Sequence, residues 1–150
     1  MSLYVLDTDH VTLFQKSHPQ VLQRVATAEP DSLAVTIVTA EEQLQGWHAA
    51  IKRASSTSRL IWAYAGLHTA LSYFGSVRLL DFDQLACARY EELRGQKIHI
   101  GTQDLRIAAI VLAVNGTLVT RNQQDFSRVS GLPPQDWTMS SPLRDKRIGP

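Results

Sequence analysis

Leu3-Tyr4-Val5-Leu6-Asp7-Thr8-Asp9-His10 constrains this chain more than any other stretch: four apolar residues run directly into two carboxylates. A continuous apolar run of strand-forming types predicts a central strand buried on both faces. In an open α/β sheet, ligands bind beyond the carboxyl ends of the strands, where Asp7 and Asp9 stand. If the backbone stays extended there, both carboxylates point to one side. An unpaired buried carboxylate is costly, and a second beside it adds repulsion. A hard divalent cation such as Mg²⁺ relieves both costs.

The remaining chain alternates strand and helix signals. Helices are expected at His10–Lys16, capped by Asp9, and from Pro19. Leu33–Val38 is a β-branched run that reads as a second core strand. Thr39 is expected to open a long helix reaching about Arg53, and Leu60–Phe74, closed by Gly75, to pair with it. Val77–Phe82 predicts a third strand, followed by a helix capped by Asp83 and ending at Gly95. Thr102 is a plausible cap for the apolar helix Gln103–Val114, Thr117–Thr120 a fourth strand, and Asn122–Phe126 a helical turn. Trp137-Thr138 suggests a fifth, edge strand. This order predicts a three-layer α/β/α fold around a mainly parallel sheet of four to five strands, with an inserted helical pair. One domain is expected over 1–139, with a loose tail over 140–150.

Composition narrows the class. The 15 basic and 14 acidic residues give a net charge of +1, so no bulk charge points to a nucleic acid, although a local basic patch remains possible. The single cysteine, Cys87, excludes an internal disulfide and cannot begin a zinc site; its apolar setting suggests a buried thiol. The opening residues carry no basic signal-peptide region, and the longest apolar segment, 107–114, is too short to span a bilayer. A cytoplasmic protein without a membrane segment is expected.

The other acids fall at strand ends or helix starts, and each has a bland explanation. Thr39-Ala40-Glu41-Glu42 fits a capping box in which Glu42 bonds back to Thr39. Asp104 in a first helical turn is favoured by the helix dipole. Asn122 and Asp125 read as a helix cap and a first-turn acid. Their common placement at one sheet edge is what joins them to Asp7.

Four segments resemble the PIN-domain family, and specifically the VapC-type ribonuclease toxins: Tyr4–Asp9, Val35–Gly46, Ile100–Ala109 and Thr117–Val129. Their order and spacing cover nearly the whole chain. The resemblance implies a metal-dependent endoribonuclease acting on structured RNA such as tRNA or rRNA. It implies metal-binding and catalytic roles for Asp7, Glu42, Asp104 and Asp125, with Glu42 favoured over Glu41. Mg²⁺, or Mn²⁺ in its place, is the implied cofactor. Thr8, Asp9, Thr120 and Asn122 are candidate supporting residues. Asp9 departs from the family, which usually carries Asn there. Arg106, Arg121 and Arg128 flank the motifs and are candidates for phosphate contacts. Trp47 is expected in core or dimer packing. The resemblance further implies a homodimer and a cognate VapB-type antitoxin.

Two other functions fit parts of the sequence. Asp7-Thr8-Asp9-His10-Val11 matches the D-x-D-x-[TV] opening of haloacid-dehalogenase-like phosphatases, with Asp7 as nucleophile and Asp9 as general acid. That alternative leaves Glu42, Asp104 and Asp125 unexplained. An inactive PIN-like module that binds RNA or a partner is the other.

Overall fold

The structure is a computed structural model that describes residues 2–139. The expected tail at 140–150 lies outside the described residues. Four short strands, β1 (Tyr4–Leu6), β2 (Leu33–Thr36), β3 (Leu79–Leu80) and β4 (Thr117–Val119), form one parallel sheet in the order β3-β2-β1-β4. The helices are α1 (Thr8–Gln15), α2 (Pro19–Thr27), α3 (Ile37–Arg53), α4 (Thr57–Ser76), α5 (Gln84–Gly95), α6 (Thr102–Ala113) and α7 (Gln123–Phe126).

β1 lies in the middle because its alternate residues serve two cores. Val5 packs with Ala34, Leu118 and the buried face of α6 on one side of the sheet. Leu6 packs with Val35, Val119, Ala70, Phe74 and Trp137 on the other. Ile107 through Val111 of α6 are all buried, as its nearly all-round apolar sequence requires. The three layers and the helical pair α3–α4 match expectation. Among the described residues, no helix is long and apolar enough to cross a membrane.

Several boundaries differ for identifiable reasons. The strand expected through Val38 stops at Thr36, whose Oγ1 accepts the Thr39 N–H at 3.1 Å and caps α3. Thr39 therefore lies inside the helix, and the Thr39–Glu42 capping box does not form. Asp7, not Asp9, caps α1 by accepting the Thr8 N–H at 2.8 Å, so extended backbone ends at Asp7 and Asp9 sits on the first helical turn. Gly101 rather than Thr102 occupies the cap of α6. α4 runs through Gly75 to Ser76, and β3 keeps only the two residues that pair with Val35 and Thr36. No fifth strand forms at Trp137-Thr138. A single parallel bridge joins Gln135 to Val119, and Trp137 is instead a buried core side chain. Cys87, expected inside, is exposed, because α5 turns its neighbour Ala86 and Leu93 to the core.

Candidate functional site

All four strands are parallel, so their carboxyl ends share one edge, and the candidate acids gather there. Asp7 ends β1, Glu42 lies on the second turn of α3, Asp104 on the first turn of α6, and Asp125 on α7 after β4.

Asp7 is 6% exposed. Its Oδ1 accepts the Thr8 N–H, and its Oδ2 accepts the Thr120 hydroxyl at 2.8 Å. Burial, then the neighbouring Asp9 carboxylate, push its carboxyl up to about 7; the Thr120 and Thr8 hydrogen bonds oppose this, and Asp104 adds a smaller upward push. The Asp104 carboxyl is also raised, by burial first and then by Glu42, Asp125 and Asp9. Asp104 thus lies within electrostatic reach of the other four acids, whatever helix-start roles each plays alone.

Thr8 Oγ1 donates to Glu42 Oε1 at 2.9 Å and lies 3.1 Å from the Thr39 hydroxyl, which fixes the first turn of α1 against α3. Glu41 points elsewhere and accepts from Gln103 Nε2 at 2.9 Å. The Asn122 side chain both receives the Asp125 N–H and donates to Asp125 Oδ2 at 3.1 Å, orienting that carboxylate. The arginines differ in placement. Arg121 is exposed beside the site, Arg128 is bonded to the His99 carbonyl and lies 3.7 Å from Asp125, and Arg106 turns to Gln103 and the Tyr90 ring.

Asp9 shares the neighbourhood of Asp7 through the helical turn rather than through extended backbone. Its Oδ1 lies 2.7 Å from His10 Nδ1, and its Oδ2 accepts the Arg121 N–H at 3.0 Å. Both oxygens are engaged in holding the structure, which removes the free general acid that the phosphatase alternative needs. His10 was not among the residues singled out in the sequence; only its place beside the second carboxylate pointed to it.

The donor set consists of carboxylate oxygens and suits a hard cation. Among the described residues, no three His, Cys, Asp or Glu side chains are already drawn together as a metal shell. Burial and neighbouring carboxylates disfavour the ionised forms of Asp7 and Asp104, a cost that a bound cation would offset, so the residues fit such an ion by charge and donor type.

No family model matches the chain. Over 142 residues it is 29% identical to Ribonuclease VapC1 of Haemophilus influenzae strain R2866, covering 91% of this chain and 98% of that protein. It is 26% identical to Ribonuclease VapC2 of Rickettsia felis, over 90% of this chain and 98% of that one. The solved structure of VapBC-1 from nontypeable Haemophilus influenzae superposes with a TM-score of 0.73 at 26% identity, over 91% and 99% of the two chains. Over about nine-tenths of its length this chain is similar to VapC-type ribonucleases in both sequence and fold. Coverage of about nine-tenths of this chain and nearly all of each relative leaves no room for a large insertion or deletion in the aligned part.

A groove of about 680 Å³ reaches one of the acids, Glu42, and is lined further by Thr8, Trp47, Trp62 and Gly66. Trp47 is half-buried and packs edge-on to Trp62, with ring centroids 5.0 Å apart. The outer face of α4 exposes Ile61, Trp62, Tyr64 and Leu71.

Proposed function

We propose that this chain is the metal-dependent endoribonuclease toxin of a type II toxin–antitoxin pair, hydrolysing phosphodiester bonds in structured RNA. The observation that carries the proposal is the gathering of Asp7, Glu42, Asp104 and Asp125 at one sheet edge, where Asp104 feels the charges of Glu42 and Asp125 and Asp7, which feels Asp104, is held at about 7. Relatives called ribonucleases over the full length of the chain support it.

Asp7 and Asp104 would hold the ion, with Glu42 and Asp125 completing the site. Mg²⁺ or Mn²⁺ bound there would supply an activated water and neutralise charge developing on the phosphate. Thr120 orients Asp7, Thr8 orients Glu42, and Asn122 orients Asp125, which limits rearrangement during the reaction. Arg121 and Arg128 border the acids and would take flanking phosphates, positioning RNA without reading its bases. Arg106, turned toward Tyr90, is less directly placed for that role. The protein would act in the cytoplasm as a homodimer through the apolar face of α4. A cognate VapB-type antitoxin, like the partner in the VapBC-1 assembly, would lie in the groove beside Glu42.

The test is incubation of a mixed RNA pool, tRNA included, with the antitoxin-free protein in Mg²⁺, Mn²⁺ or EDTA. Discrete cuts that require metal and vanish in both Asp7→Ala and Asp104→Ala are expected. Cuts that survive both substitutions would sink the site assignment. RNA binding without cleavage would favour an inactive binding module.

A further inference from the structure

His10 is fully buried, and no role assigned above uses it. Its two ring nitrogens meet different parts of the chain. Nε2 accepts the backbone N–H of Trp137 at 3.1 Å and lies 3.6 Å from Asp136 Oδ1, an oxygen that already accepts the Thr138 N–H and hydroxyl. A backbone N–H is an obligatory donor, so Nε2 is the unprotonated nitrogen and Nδ1 carries the proton. Nδ1–H then donates to Asp9 Oδ1 at 2.7 Å. The other Asp9 oxygen accepts the Arg121 N–H at 3.0 Å and lies 3.3 Å from the Thr120 hydroxyl. Thr120 holds Asp7, and its hydroxyl also receives the Asn122 N–H at 3.0 Å.

We infer that His10 is a positioning residue for the candidate active site: acting through Asp9, it fixes the turn after β4 that carries Asn122 and Asp125, and ties that turn to the docked segment at Gln135–Trp137. Any buried histidine must satisfy its ring nitrogens; what singles out His10 is where its partners lie, Nδ1 on the carboxylate that holds the Arg121 N–H and Nε2 on the segment bridged to β4. The relay also gives a reason for Asp at position 9. Asp offers an acceptor oxygen to His10 and another to Arg121, whereas Asn offers one oxygen and would set its NH₂ against one of these two N–H donors.

The effect on cleavage rests on the nuclease function proposed above; the hydrogen-bond relay does not. Two measurements therefore go together. In ¹⁵N-histidine-labelled protein, two-dimensional NMR is expected to show His10 fixed as the Nδ1–H tautomer. In His10→Gln, the amide oxygen can still accept from Trp137 while the donor to Asp9 is lost. The Arg121 and Asn122 amide resonances should then move while those of α5, on the other face of the sheet from Trp137, stay in place, which separates loss of the relay from general unfolding.

On a cleaved RNA, kcat should fall about tenfold with KM unchanged, the scale of one hydrogen bond to a charged group. In an Asp9→Asn background the same substitution should change kcat by less than about twofold, because the route through Asp9 is already broken. An Nε2–H or averaging His10, unmoved Arg121 and Asn122 resonances, or effects that multiply in the double variant would each overturn the inference. If the wild type cleaves no RNA, the nuclease proposal fails while the tautomer and the amide shifts still decide the relay.

Discussion

Thr120 Oγ1 donates a 2.8 Å hydrogen bond to Asp7 Oδ2 across 113 positions of sequence, and both side chains are buried. The bond is the largest of the influences that favour the Asp7 carboxylate against burial and the Asp9 charge. Thr120→Val keeps the shape and removes the donor. The Asp7 carboxyl should rise further, and the Asn122 N–H loses its acceptor. A loss of about 1–3 kcal/mol in denaturant unfolding is expected, together with a lower rate of RNA cleavage near neutral pH.

The carboxyl of Asp7 stands at about 7 in the folded chain against an ordinary 3.8. Between those values the folded chain binds more protons than the unfolded one, so stability falls as pH rises across that window. Asp104 is shifted in the same direction and adds to the slope. Metal-free protein should therefore melt at a higher temperature near pH 5 than at pH 7.5. Asp7→Asn should flatten the slope, and Mg²⁺ should restore stability chiefly at the upper end.

Gly66 faces the Trp47 ring so closely that a Cβ there would fall inside it. Gly66→Ala must push Trp47 out of its packing with Trp62. Although alanine is the better helix former, the substitution should destabilise by about 1–3 kcal/mol. The tryptophan fluorescence spectrum should shift as the pair separates. Gly75, with open space around its Cβ position, is the control: Gly75→Ala should be neutral or stabilising.

Thr36 caps α3 and fixes the helix that carries Glu42. Thr36→Ala should cost about 1 kcal/mol from the lost cap. Thr39→Ala should leave the cap intact, which distinguishes the observed helix start from the one its sequence suggests.

The legible parts of the sequence were those where several cues agreed. Leu3–Leu6 is apolar and strand-forming, leads into Asp7, and became the central strand. Asp7, Glu42, Asp104 and Asp125 read as candidates because each follows a strand or opens a helix, with the family resemblance choosing Glu42 over Glu41, and parallel strands put those ends on one edge. Ile37 and Val38 misled, because β-branched residues suit a strand but have no ladder partner here, while the Thr36 cap starts the helix. Trp137 looked like edge strand because its burial comes from long-range packing on Leu6 and Val119. His10 has only its place beside Asp9 to mark it in the sequence, since Trp137 and, by way of Asp9, Arg121 are more than a hundred residues away.

The central claim is that four carboxylates from separate segments act as one cation site. Calorimetric titration of Mn²⁺ into the antitoxin-free protein near neutral pH, repeated in buffers of different ionisation enthalpy, tests it directly. The account predicts one saturable class of binding, release of a fraction of a proton as the raised carboxyls ionise, and loss of both in Asp7→Asn and in Asp104→Asn. Unchanged Mn²⁺ affinity in both folded variants would contradict it.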